Sequence, residues 1–252
     1  MTDPTTVPLS LWLFCTAVFV AAGVVKGVVG LGLPTLAMAL LALRMTPAQA
    51  AALLILPSLV TNVWQTRPWA RLGPLAWRLA PMQAGVAMGT LGAAWWLGAP
   101  AGVWATQALG VALLVYALWG LSGARLPSVS PRAQRVLGPL TGAATGLVTA
   151  ATGVFVMPAV PYLQALGLQR DELVQAMGLS FTVSTIALAA GLALNREYPV
   201  AVLGASALLL LPALLGMQCG QWLRGRLSPV RFRFVFMSAL ALLAIWMLLR
   251  TL

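Results

Sequence analysis

The sequence predicts an all-α protein, a polytopic bundle of transmembrane helices built as two inverted repeats. Three observations carry that prediction. Apolar runs of membrane-spanning length recur from one end to the other, the arginines sit almost entirely in or beside the gaps between them, and the order of runs in the first half returns in the second. Of 252 residues, 61% are hydrophobic and 8% charged, and the mean hydropathy is +0.94, far above that of soluble domains. The runs reach from Leu9 to Leu249 and leave no room for a separate soluble domain. The chain therefore reads as one membrane domain with repeats over 9–122 and 133–250.

The apolar segments cover 9–30, 33–44, 47–65, 79–98, 101–122, 133–154, 156–168, 172–194, 199–220 and 230–249. Thr46-Pro47, Ser130-Pro131 and Ser228-Pro229 each supply a capping hydroxyl followed by proline at the first helical position, where the missing N–H costs nothing. The first helix lacks the basic flank and cleavage pattern of a signal peptide and is expected to be retained. Segments 33–44 and 156–168 fall short of the roughly 20 residues a crossing helix needs. Each follows a longer run and a glycine-containing break. Residues 9–44 and 133–168 are therefore expected to form re-entrant hairpins, each followed by three spanning helices.

A shift of 123 residues places Gly23 on Gly146, Gly30 on Gly153 and Thr61-Asn62 on Ser184-Thr185. Arginine placement then sets orientation. The basic stretches 67–78, 125–135 and 224–233 are expected on the cytoplasmic side. They share a side only when each hairpin enters and leaves by the same face, which gives each half an odd number of crossings and inverts the second half. The N-terminus then lies outside. Trp69, Trp77, Trp95, Trp96 and Trp222 stand near segment ends, where an indole favours the headgroup level, whereas Trp12, Trp119 and Trp246 fit either environment.

The net charge of +11 belongs to these loop arginines, which face an anionic leaflet rather than nucleic acid. Histidine is absent, and the acids are Asp3, Asp171, Glu172 and Glu197, at a terminus or beside loops. That removes most acid–base, nucleophilic and metal chemistry, so no catalytic residue, cofactor or metal is expected. Cys15 and Cys219 are read as packing residues. The stretch "GLGLP" follows no strand and is not a nucleotide fingerprint.

The one lysine, Lys26, precedes a break formed by Gly30, Gly32 and Pro34. Broken hairpins in inverted halves are a transporter pattern, with irregular backbone lining a central site. Free N–H groups at a helix start and a nearby ammonium together suit an anion. No acid lies within a predicted span to neutralise Lys26, which leaves snorkelling to the headgroups or a bound anion as its partner. Ser58, Thr61, Asn62 and Gln65 share one helical stripe. Thr145, Thr149 and Thr152 with Gly153, and Ser180 with Ser184 and Thr185, form similar polar sets in the second half. Such groups ligate an oxyanion or hold helices together, and the spacing alone does not choose between these. Gly85–Gly89, Gly142–Gly146 and Gly216–Gly220 report close helix packing.

The stretches "GVVKGVVGLGLPTLAMALLALRMTPAQAAALLILPSLVTNVWQ" at 23–65 and "GAATGLVTAATGVFVMPAVPYLQALGLQRDELVQAMGLSFTVST" at 142–185 each resemble the glycine-rich turn, short apolar arm and small/polar helix of the sulfite exporter TauE/SafE family. Familiar members often carry three consecutive glycines; here the turns read Gly30-Leu-Gly32-Leu-Pro34 and Thr152-Gly153-Val154-Phe155. The resemblance implies a permease of the bacterial inner membrane moving a small sulfur-containing or organic anion such as sulfite. The expected site is Lys26, Gly30, Gly32, Ser58, Thr61, Asn62, Thr149, Thr152, Gly153, Ser180, Ser184 and Thr185. The expected partners are the bilayer and the anion, with a homo-oligomer compatible. A channel-like or assembly protein is the competing class and a membrane enzyme a distant third.

Overall fold

The computed structural model describes residues 8–124, 126–197 and 200–251; Asp3 and Arg125, the first residue of the basic stretch 125–135, lie outside them. Among the described residues the chain forms ten α-helices and no strand. They are α1 (Leu9–Val29), α2 (Leu33–Leu41), α3 (Pro47–Gln65), α4 (Leu72–Leu97), α5 (Gly102–Ser122), α6 (Pro131–Thr152), α7 (Ala159–Ala165), α8 (Arg170–Leu194), α9 (Val200–Arg224) and α10 (Pro229–Arg250). Six of them, α1, α3, α5, α8, α9 and α10, are long and apolar enough to cross a membrane.

Three helix starts follow the hydroxyl-proline signal. Thr46 Oγ1 accepts from the Gln49 amide at 3.3 Å while Gln49 Oε1 accepts from the Thr46 amide at 3.1 Å, a reciprocal box. Ser130 Oγ accepts from the Ala133 amide at 3.3 Å and Ser228 Oγ from the Arg231 amide at 3.5 Å. One start differs from the sequence reading by more than three residues: α4 begins at Leu72 rather than 79. Pro74 falls in its first turn, where no intrahelical N–H is required. Arg78, read as a loop residue, is therefore helical. Its Nε donates to Gln134 Oε1 at 3.0 Å and its Nη2 to the Leu166 carbonyl at 3.1 Å.

Contacts at helix ends sort the loops into two groups. Arg78 ties α4 to the start of α6 and the end of α7, the Val129 amide donates to the Ala165 carbonyl, and Gln175 Nε2 donates to the Thr66 and Pro68 carbonyls. Arg233 Nη2 donates to the Gly120 carbonyl. The α3–α4, α5–α6, α7–α8 and α9–α10 connections thus share one end of the bundle, the basic end. At the far end the Ala48 amide donates to the Pro100 carbonyl, the Arg44 guanidinium lies 5.5 Å from the Phe14 ring, and Asn195 Nδ2 donates to the Ala94 carbonyl. Gln107 Nε2 reaches the Thr251 carbonyl there too.

Each hairpin therefore leaves by the end it entered. The second arms are short: α2 has nine residues and α7 seven, about 14 and 11 Å against a hydrocarbon core of about 30 Å. Both arms are almost wholly buried in the bundle, which supplies the surroundings that irregular backbone at this depth requires.

The long arm of each hairpin packs on a helix of the other half, α1 on α9 and α6 on α4. Glycines bring these backbones together. A side chain at Gly27 would drive its Cβ into the Met217 carbonyl, and one at Gly142 into that of Met82. In α3, Pro57 frees the Leu53 carbonyl one turn earlier, and Ser206 Oγ of α9 donates to it at 2.8 Å. The Gly142→Val variant is expected to lose about 1–3 kcal/mol through overpacking, seen as a lower thermal unfolding midpoint in detergent. Gly73→Ala, with open space around the added carbon, should leave that midpoint unchanged.

Candidate functional site

The site begins at the break after α1. Gly30 takes φ of +80° and Gly32 of +110°, left-handed conformations that side-chain-bearing residues rarely adopt, and Pro34 follows in the first turn of α2. The break ends α1 beside the last turns of α3 and fixes Lys26 there. Lys26 is only 5% exposed. It does not reach the surface.

Lys26 Nζ donates to Thr61 Oγ1 at 3.0 Å and to Asn62 Oδ1. Thr61 Oγ1 donates its own proton to the Pro57 carbonyl at 2.6 Å, so its lone pairs face the ammonium. With Oδ1 turned to Lys26, Asn62 presents Nδ2 to Thr185 Oγ1 at 3.3 Å, and Thr185 donates to the Phe181 carbonyl at 2.6 Å. Thr61, Asn62 and Thr185 each accept on one side and donate on the other. The described carboxylates, Asp171, Glu172 and Glu197, are exposed near helix ends. Lys26 is thus solvated by neutral oxygens, and its charge is not cancelled by them.

A cavity of about 430 Å³ opens from Lys26 toward the basic end, within the range of small-molecule sites. Lys26, Gly30, Leu31 and Thr61 form its deep part, Trp64, Gln65, Tyr116 and Trp119 line its walls, and Arg170, Arg224 and Arg233 stand around its mouth. Gln65 Nε2 donates to the Gly30 carbonyl at 3.2 Å and holds the turn against α3. One uncancelled ammonium below three guanidinium groups makes a graded positive field along the cavity.

The structure brings some of the sequence-predicted residues together and separates others. Lys26, Gly30 and Thr61 line the cavity, with Asn62 and Thr185 one layer behind. Gly32 faces away, where a Cβ would meet Val25 at 2.7 Å and the Phe236 ring at 3.5 Å. The start of α2 is buried with it, so the cavity takes its positive charge from side chains and not from free N–H groups of a helix start. Ser58, Ser180 and Ser184 are buried with hydroxyls that have no protein partner.

The second turn is closed. Thr149 Oγ1 donates to the Thr145 carbonyl at 2.7 Å and Thr152 Oγ1 to that of Val148 at 2.6 Å. A Cβ on Gly153 would meet Met38 at 2.8 Å and Ala51 at 3.3 Å. The sequence reading missed the mouth of the cavity. As sequence, Arg224 and Arg233 read as topology determinants and Arg170, Gln164 and Gln221 carry no expected role, although a glutamine inside an apolar run is itself a signal of a polar pathway.

Membrane-length apolar helices, broken hairpins and a cavity floored by an intramembrane cation define a multi-pass membrane transporter. The chain belongs to the TauE/SafE family: compared with protein-family models, residues 15–247 match the one described as Sulfite exporter TauE/SafE. This is a family of membrane transporters for sulfite export, not of enzymes. Neither the curated proteins nor the solved structures searched gave a match. Asn62→Leu should strand one Lys26 donor and cost roughly 1–3 kcal/mol, read as a lower unfolding midpoint.

Proposed function

We propose that the protein is a secondary transporter that carries a small anion, sulfite or a compact sulfonate, across the bacterial inner membrane by alternating access. The observation that carries this reading is the floor of the cavity. Lys26 is buried, bonded to neutral oxygens only, and open to a cavity lined by further cations. A buried charge without a counter-ion is expensive, and an anion arriving through the cavity supplies the missing charge. Thr61 and the Gly30 turn are the neighbours that would orient it, with Asn62 and Thr185 fixing the ammonium from behind.

The reading also takes the two halves as inverted repeats. Reciprocal packing supports this, since exchanging the halves turns the α1–α9 contact into the α6–α4 contact. Asn62 and Thr185, 123 positions apart, touch each other; this equals the shift that superposes the halves, and residues related by a two-fold meet only at its axis. The basic end is assigned to the cytoplasm because Arg67, Arg78, Arg132, Arg135 and the arginines of 224–233 gather there, against Arg44, Arg196 and Arg250 at the far end. The N-terminus is then outside, and the cavity faces the cytoplasm. A channel would need a continuous path, whereas the Asn62–Thr185 contact lies beneath the cavity.

Lys26→Gln is expected to keep the fold while lowering sulfite uptake into proteoliposomes about tenfold to hundredfold, the equivalent of one charged hydrogen bond. Asn62→Asp should abolish uptake by giving Lys26 an internal carboxylate that competes with the anion. Unchanged uptake in both variants, with unfolding midpoints intact, overturns the assignment of Lys26. Running sulfite, thiosulfate, sulfonates and carboxylates through the same assay identifies the anion.

A further inference from the structure

The open cavity has a shut counterpart at the far end of the bundle. On the two-repeat reading above, on which this inference rests, positions in α1 to α3 correspond to those 123 residues on. For α4 and α9 the shift is 127, because these helices end at Leu97 and Arg224. Gly27, Gln65, Met217 and Gln221 of the cavity wall then map onto Ala150, Leu188, Thr90 and Ala94. Those four residues do come together, between α4, α6 and α8, around a void of about 10 Å³. That space is scarcely enough for one water molecule.

Direct contact keeps it shut. A Cβ on Gly191 would lie 2.9 Å from that of Ala94, and Asn195 Nδ2 donates to the Ala94 carbonyl at 3.0 Å. Two hydroxyls beside the seam are out of place in a permanent interface. Thr90 and Ser184 are both 0% exposed, and neither Thr90 Oγ1 nor Ser184 Oγ has a hydrogen-bond partner. Ser184 shares the stripe of Leu188 and Gly191 on α8, and it stands 123 positions after Thr61, the residue that meets Lys26. Buried hydroxyls are ordinarily paired, and an unpaired one calls for an explanation.

We propose that this seam is the far-side mouth of the transport path, opening as the basic-end cavity closes, and that a small oxyanion passes through it on the hydroxyls of Thr90 and Ser184. A hydroxyl donates to an oxyanion without a fixed charge. The far mouth is also the weaker binder: the positions matching Lys26, Gln65 and Arg224 are Thr149, Leu188 and Leu97. An anion that has reached the seam is held by hydroxyls alone and leaves it readily.

The test uses the full chain with Cys15→Ala and Cys219→Ala in proteoliposomes. Oxidising an Ala94→Cys/Gly191→Cys double variant should cut sulfite uptake at least tenfold, and reduction should restore it. Separately, Ala150→Cys should react with a membrane-impermeant maleimide added at the far side, at least fivefold faster when Asn195→Ala removes the latch. The labelling arm needs neither the double variant to fold nor any flux. Uptake that persists when the pair is crosslinked, or an Ala150→Cys that stays unlabelled in a protein that moves sulfite, overturns the seam as a mouth and leaves the functional reading standing. Absence of flux for every anion tried overturns that reading, and with it the passage of an oxyanion here.

Discussion

A lysine ammonium held inside an apolar bundle must find oxygen, and Lys26 finds it in Thr61 and Asn62. Both are neutral, so the charge is solvated without being cancelled. The surrounding structure maintains that condition. The glycine break sets the depth at which α1 stops, the Pro57 and Ser58 carbonyls take the Thr61 proton and turn its lone pairs toward the ammonium, and Thr185 fixes the Asn62 amide in the orientation that presents its carbonyl. Removing Thr61, Asn62 or Thr185 leaves a buried polar group without its protein partner.

The fold makes that arrangement depend on both halves at once. Each hairpin arm is seated by glycine-mediated backbone contact on a helix from the opposite half, α1 on α9 and α6 on α4. Contacts of this kind have almost no freedom to slide, because the facing surfaces are main chain and not flexible side chains. The α3–α8 interface combines the Asn62–Thr185 bond with a close approach of Gly178 to the α3 backbone, whereas α3–α9 and α4–α8 place hydroxyls, amides and side chains between the backbones. Relative motion is easier to accommodate across such surfaces than across the two glycine seams.

Much of this was legible in the sequence because it follows from short-range rules. Length and hydropathy marked α3, α5, α8, α9 and α10 as spans but also 79–98, whose helix α4 is not among those apolar enough to cross, hydroxyl-proline pairs marked three helix starts, and the shortness of 33–44 and 156–168 marked the re-entrant arms. Lys26 with Thr61 and Asn62 was readable from charge and helical spacing. The limits are equally specific. The start of α4 lies seven residues before the expected one, because Gly73, Pro74 and Arg78 resemble a loop until Arg78 is seen to bond Gln134 and the Leu166 carbonyl. Arg224 and Arg233 look like any loop arginines until α9 and α10 are seen to converge on one mouth. That the first turn borders a cavity while the second is packed under Met38 and Ala51 is a difference of tertiary packing, and the two glycine breaks carry no local sign of it.

The position of the cavity bears on how the protein would respond to the membrane voltage. The open cavity brings the potential of the basic-end solution down to Lys26, so the electrical drop falls across the packed layer between that residue and the far end, about 20 Å along α3 from Pro47 to Thr61. The work of moving one charge through that layer approaches the full value of about 2.3 kcal/mol per 100 mV. Most of the driving force that a resting cell holds across its whole membrane would thus act on the anion after it leaves the lysine, during its passage through the packed half of the bundle.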